Sequence, residues 1–251
     1  MKAIILAAGR GSRLGSLTEH KPKPLTILAG KSLLEWQMMA LERAGVSEIS
    51  LVTGYCAEAL AHYGRTCHHN PRWQQTNMVR SLLCASAVLA EDSHIVSYGD
   101  IAYRPGSVRR LMELDANIAI TFDTRWFELW SARFEDPLLD AESFRHHDGQ
   151  LLSIGDKVLD VADIQGQYMG LLKFTPTGWR AVCSLVATLD EVVLDRLDMT
   201  SLLQRLLNSG QSIAVVPIDG GWVEVDEPQD ITLYDSKTRE VGWSHDWRDL
   251  I

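Results

Sequence analysis

The sequence predicts an α/β fold in which a mostly parallel sheet is flanked by helices on both faces. Three observations predict it. Short apolar runs that suit buried strands recur along the first half of the chain, segments of helical period separate them, and the first run leads straight into a glycine-rich turn. In a sheet built from such alternation, ligands lie at the C-terminal ends of the strands.

The elements follow in order. Lys2 to Ala7 reads as the first strand. Ser32 to Ala44 places Leu33, Leu34, Met38 and Leu41 at helical spacing with polar residues between, and Gly45 ends it as a C-terminal cap. Glu48 to Thr53 reads as a strand, Ala57 to Tyr63 as a short helix and Met78 to Leu89 as a longer one. His94 to Tyr98 is another strand, Val108 to Leu114 a helix, and Asn117 to Phe122 a further strand. From Asp123 onward the pattern turns Trp-rich and Asp-rich, with helices over Thr177 to Val186 and Thr200 to Asn208 and strands near Gln211 to Pro217 and Trp222 to Val225. There is no repeat, low-complexity tract or linker. One compact unit over residues 1–251 with an inserted subdomain is the simplest reading.

Composition narrows the function. The chain has 251 residues, 46% of them hydrophobic and 23% charged, which suits one large domain or a domain with a lid. A net charge of -9 argues against nucleic-acid and anionic-membrane partners, so the basic residues near the start stand out. Cys56, Cys67, Cys84 and Cys183 form no C-x-x-C pair and no signal peptide is visible, so reduced thiols and a cytoplasmic location are expected. No stretch approaches the roughly 20 apolar residues that cross a bilayer. His68-His69 and His146-His147 are adjacent pairs whose side chains would diverge on a strand, a poor arrangement for a shared metal. Arg109-Arg110 reads as a solvated helix face. The tail "SHDWRDLI", residues 244–251, could pack through Trp247, Leu250 and Ile251 either on its own domain or on a second copy in a homo-oligomer.

The turn "LAAGRGSRLG", residues 6–15, combines flexible backbone with positive charge, a way to present N–H groups and guanidinium groups to phosphates. It is not a dinucleotide fingerprint, because Leu14 stands where G-x-G-x-x-G needs its third glycine. Nor is it a Walker A or kinase loop, since the required Lys-Ser or Lys-Thr pair and the H-R-D motif are missing. The longer string "AAGRGSRLGSLTEHKPKPL", residues 7–25, resembles the signature of nucleotidyltransferases of the sugar-phosphate pyrophosphorylase type, G-x-G-x-R-L-x-x-x-T-x-x-x-P-K-P-L. Every fixed position is filled, by Gly9, Gly11, Arg13, Leu14, Thr18, Pro22, Lys23, Pro24 and Leu25.

The resemblance implies a Rossmann-like architecture and extends along most of the chain. It implies a nucleotide-binding half over about residues 1–122, and an acceptor-binding half with an acceptor-binding lid and a C-terminal helix over about 123–251. Nucleotide binding then falls to Leu6, Ala7, Ala8, Gly9, Gly11, Arg13, Lys23, Asn77 and Ser81. Tyr98-Gly99-Asp100 is similar to the strand end that carries the family's Mg²⁺-binding Asp, and "GWVEVDEPQD" (221–230) to the segment whose Asp completes the metal site, here Asp226. "DGQLLSIGDK" (148–157) looks like the strand whose lysine reaches the acceptor phosphate, which assigns Lys157. "GQYMGL" (166–171) resembles the strand that closes the acceptor pocket and brings in Tyr168. "QTNMVRSLLCA" (75–85) departs from the sugar branch, and its Asn77 followed by Ser81-Leu82 resembles the phosphocholine and phosphonate cytidylyltransferases.

Physical chemistry is consistent with these assignments. Nucleotidyl transfer between phosphates needs cations and in-line positioning and little proton transfer, so Arg13, Lys23 and Lys157 matter while no Ser-His constellation is required. Mg²⁺ prefers carboxylate and phosphate oxygens, and Asp100 and Asp226 suffice as its protein share. Trp126 and Trp130 lie four apart with Arg133 close by; either a lid helix packs these tryptophans into the core, or their rings, with an acid such as Asp140 or Glu142, surround a cationic amine while Arg133 leaves room for an acceptor that also carries a carboxylate. The expected enzyme is a Mg²⁺-dependent cytidylyltransferase using CTP and a phosphocholine-like, aminoethylphosphonate-like or phospho-amino-acid acceptor, with release of pyrophosphate. A UTP- or dTTP-dependent sugar-1-phosphate enzyme and a noncatalytic nucleotide sensor are the alternatives.

Overall fold

The structure, a computed structural model, describes residues 1–63 and 66–249. Strand β1 (Lys2–Ala7) opens the chain and leads through two 3-10 turns, Ser12–Thr18 and Lys23–Leu25, to a small hairpin of β2 (Ile27–Leu28) and β3 (Lys31–Ser32). Helix α1 (Leu33–Arg43) follows, started by a capping box in which Ser32 and Glu35 satisfy each other's backbone N–H groups. β4 (Ile49–Thr53), β5 (Thr66–His69), α2 (Met78–Leu83), α3 (Ser86–Glu91), β6 (His94–Tyr98), β7 (Ile101–Tyr103), α4 (Pro105–Glu113) and β8 (Ile118–Asp123) complete the first half. The second half runs α5 (Trp126–Arg133), β9 (Glu142–His147), β10 (Gln150–Lys157), β11 (Gln167–Phe174), α6 (Pro176–Val186), α7 (Glu191–Arg196), α8 (Met199–Asn208), β12 (Ala214–Ile218), β13 (Trp222–Glu224) and α9 (Pro228–Lys237).

Among the described residues one nine-stranded sheet runs through both halves in the order β5-β4-β1-β6-β11-β8-β12-β10-β9. β5, β4, β1 and β6 are parallel neighbours, as are β8 and β12, while β11 and β10 run antiparallel to the strands beside them. β1 shows why the centre is so apolar. Ile4 and Ile5 point to opposite faces and both are fully buried, each in a different one of the two cores that the flanking helices close over the sheet.

One expectation about the elements needs correction. Met78 to Leu89 is two helices, because Ala85 leaves helical geometry (φ -98°, ψ 13°) where Ser86 Oγ accepts a hydrogen bond from Trp179 Nε1 of α6 at 2.9 Å. The segment after β8 adds to the same sheet, its β9–β10 hairpin extending the far edge. The tail docks on its own chain, with Trp247 fully buried against Trp36, Tyr234 and Trp243, while Leu250 and Ile251 lie outside the described residues. No helix among the described residues is long and apolar enough to cross a membrane.

Candidate active site

The turn after β1 begins the site. Gly11 has φ +71°, and a Cβ there would stand 2.7 Å from Lys23 Cδ, so glycine both makes the bend and lets the lysine lie across it. Thr18 Oγ1 donates to the Gly11 carbonyl at 3.0 Å and holds the loop shut beneath. At the end of β6 a Cβ on Gly99 would meet the Leu6 carbonyl at 2.4 Å, so this glycine lets the two strand ends meet and delivers Asp100 beside Lys23. The result is a cleft of about 230 Å³ at the C-terminal ends of β1 and β6. Of the residues expected to bind nucleotide, Leu6, Ala7, Ala8, Gly9, Gly11, Lys23, Asn77 and Ser81 line it, together with Asp100.

A second device brings in the far end of the chain. The β7–β13 ribbon pairs Glu224 with Ile101, and the Val225 N–H donates to the Asp100 carbonyl at 2.9 Å. Asp226 therefore arrives beside Asp100. Oxygens of Asp100, Glu224 and Asp226 lie within 4.8 Å of one another. Lys23 Nζ bridges Asp100 Oδ2 at 2.8 Å and Asp226 Oδ1 at 2.6 Å, and Arg13 reaches Asp226 Oδ1 at 2.7 Å.

Behind this cluster stands Arg133, with a side chain only 1% exposed. Its guanidinium grips Asp230 at 3.1 and 3.2 Å and faces Glu224 at 3.3 Å and Asp226 at 3.5 Å. Asp230 in turn accepts the N–H of Asp226 at 2.7 Å and of Glu227 at 3.0 Å, which fixes the turn that presents Asp226.

The electrostatics follow from burial and pairing. Burial, aided by Asp226, pushes the Glu224 carboxyl up to about 8. Burial works against charge at Asp226 too, but Lys23 overrides it and holds that carboxyl below its ordinary value. Burial opposes the charge on Lys23 as well, and Asp100 with Asp226 outweighs it, leaving the ammonium above its usual range. Asp100 Oδ1 is buried and accepts no hydrogen bond from the described residues. Three carboxylates converging on a free oxygen form a hard-donor set that fits Mg²⁺.

The acceptor-side residues are not all brought together. Trp126 and Trp130 are core residues, packed edge-on to each other, and Trp130 also packs against Trp222. The expected cage for an external cation is therefore corrected: the cation over Trp130 is the chain's own Arg133, 5.4 Å from the ring centre. Glu142 and Lys157 face each other across the β9–β10 pair, with Lys157 exposed and in no salt bridge with the described residues. Burial raises the carboxyls of Asp140 and Glu142; Asp140 feels Asp226, Arg13 and Arg133, and Glu142 feels Asp140. Tyr168 packs edge-on against Tyr98, 5.7 Å between centres, and Tyr98 lines the cleft. Glu224, Asp230, Trp73, Thr76 and Met78 are additions to the expected site. Glu224 had a signal, since in "VEVD" it shares a strand face with Asp226.

Known proteins resemble this chain. Residues 3–150 match the model of the MobA-like NTP transferase domain. A curated relative from Campylobacter jejuni, named CTP:phosphoglutamine cytidylyltransferase, is 34% identical over 249 residues, covering 93% of this chain and 98% of that protein. Choline-phosphate cytidylyltransferase of Streptococcus pneumoniae is 33% identical over 108 residues, 41% of this chain and 47% of that protein. The solved inositol-1-phosphate CTP transferase from T. maritima shares the fold at a TM-score of 0.75 and 19% identity, covering 100% of this chain and 97% of that one.

Proposed function

The chain belongs to the family of MobA-like NTP transferase domains, and from that premise we propose that it moves CMP from CTP to the phosphate of a small amine-bearing acceptor, releasing pyrophosphate. The observation that carries this reading is the meeting of Asp100, Glu224 and Asp226 with Lys23 beside a glycine-rich cleft. The nearly full-length likeness to a phosphoglutamine cytidylyltransferase supports CTP as donor and a phospho-amino-acid type of acceptor. Glu142 stands on β9 opposite Lys157, and Asp140 just before that strand, and we assign these acids to an acceptor's ammonium group.

An acceptor phosphate oxygen attacks the α-phosphorus of CTP, the bond to the bridging oxygen breaks, and pyrophosphate leaves in line. Asp100, Glu224 and Asp226 would hold Mg²⁺, which when bound supplies charge neutralisation at the transferring phosphate. Arg13 and Lys23 exchange carboxylate partners for phosphate oxygens when nucleotide enters. Lys157, exposed and in no salt bridge among the described residues, meets the acceptor phosphate. No general base is needed, because the acceptor oxygen is already anionic at neutral pH.

Pyrophosphate release from each of the four NTPs, with phosphoglutamine, phosphocholine, aminoethylphosphonate and glucose 1-phosphate as acceptors, tests the reading. CTP with an amine-bearing acceptor is the expected pair. Preference for glucose 1-phosphate with UTP or dTTP would overturn it in favour of the sugar branch.

A further inference from the structure

The cleft holds a second polar cluster that the phosphate chemistry leaves unused. Asn70 follows β5, is 2% exposed, and is tied to the sheet by its N–H on the Thr53 carbonyl at 2.8 Å. Its Oδ1 accepts the backbone N–H of Arg72 at 2.9 Å. A backbone N–H can only donate, so this contact fixes the amide orientation. The Nδ2 group then donates to Thr76 Oγ1 and to Ser81 Oγ, each at 3.0 Å.

The two hydroxyls are thereby given opposite characters. Thr76 donates its hydrogen to the Arg72 carbonyl at 3.0 Å and accepts from Asn70, so only a lone pair remains to offer the cleft. Ser81 accepts from Asn70 and keeps its hydrogen to give. Both line the same cleft as Lys23 and Asp100, beside the Trp73 side chain. Because the two hydrogens of one amide nitrogen diverge, the two hydroxyl oxygens they hold are separate positions on the cleft wall, one for each of two neighbouring polar groups of a ligand.

We propose that Thr76 and Ser81 are the base-reading pair of the nucleotide site, an acceptor and a donor whose polarity Asn70 sets, and that this pattern selects cytosine over uracil. The proposal rests on the cytidylyltransferase reading and supplies its base specificity. Cytosine offers an amino donor at C4 and acceptors at N3 and O2, which match the lone pair of Thr76 and the hydrogen of Ser81. Uracil puts a carbonyl oxygen where the amino group stood. Two acceptors then face each other in a desolvated site, and discrimination follows.

Calorimetric titration of CTP and UTP into the protein tests this without any acceptor. Wild type should bind CTP at least tenfold more tightly than UTP. Thr76→Val should cut that ratio at least tenfold, Thr76→Ser should keep it, and Ser81→Ala should weaken CTP binding at least fivefold. If wild type prefers CTP while folded Thr76→Val and Ser81→Ala bind both nucleotides as wild type does, the base is read elsewhere and the proposal falls alone. Equal wild-type affinity for CTP and UTP would overturn the CTP reading together with it. Thermal melts of each variant establish that it is folded, and the two substitutions test separate atoms.

Discussion

Asp226 concentrates the chemistry of the site in one side chain, since its carboxylate meets Lys23, Arg13 and Arg133 while its N–H is held by Asp230. Asp226→Asn or Asp100→Asn should lower kcat by at least a hundredfold at saturating Mg²⁺ while leaving the melting curve cooperative. Near wild-type turnover in either variant would remove that carboxylate from the metal site. The lysines should separate kinetically. Lys157→Ala should raise the acceptor KM about tenfold with CTP affinity unchanged, whereas Arg13→Ala should weaken CTP binding itself. Loss of free CTP binding in Lys157→Ala would contradict this division.

At the scale of elements, α5 and α9 are joined to the site through one buried guanidinium. Arg133→Met should destabilise the fold by about 3 kcal/mol, because it leaves Asp230 and its neighbours buried without their counter-charge. Arg133→Lys should recover part of the loss, keeping the charge but not the fork, and urea unfolding of both variants checks the order. Removing the α1 capping box with Ser32→Ala should cost about 1 kcal/mol, about 3 °C in Tm. Legibility in the sequence divides along the same elements. A central strand such as β1 was legible because burial on both faces demands a nearly continuous apolar run. β5 and β9 were not: "TCHH" and "ESFRHH" lie at the two edges of the sheet, where side chains need not be buried. The meeting of the glycine turn with Asp100 and Asp226 was legible through the order of the motifs in the resembled family, and the turn itself because close backbone approach restricts residue choice. Arg133 misled because a cation beside two tryptophans looks the same in sequence whether it awaits a ligand or serves the chain's own acids.

For the molecule as a whole, acid stability should carry a histidine signature. His94 is 2% exposed in β6, and burial holds its imidazole below the ordinary value, so the unfolded chain takes up a proton more readily than the folded one. The stability that this contributes is complete above about pH 6.5 and declines as pH falls from there toward the depressed folded value. His94→Asn should flatten the fall of stability between about pH 7 and 5, read from urea melts, whatever its effect at pH 7.5.

The β7–β13 ribbon has a consequence for how the protein is made. Lys23 and Asp226, in direct contact, are 203 positions apart, and Arg13 and Asp226 are 213 apart. While a ribosome is still extending the chain, the glycine turn, Lys23 and Asp100 emerge early, and Lys23 has no Asp226 to neutralise it until most of the polypeptide has been translated. A nascent chain halted just before Trp222 would retain the glycine turn but lack Glu224 and Asp226. On the proposed function, such a fragment would hold a nucleotide's phosphates without two of the carboxylates assigned to transfer, so competence would arrive only near the end of synthesis.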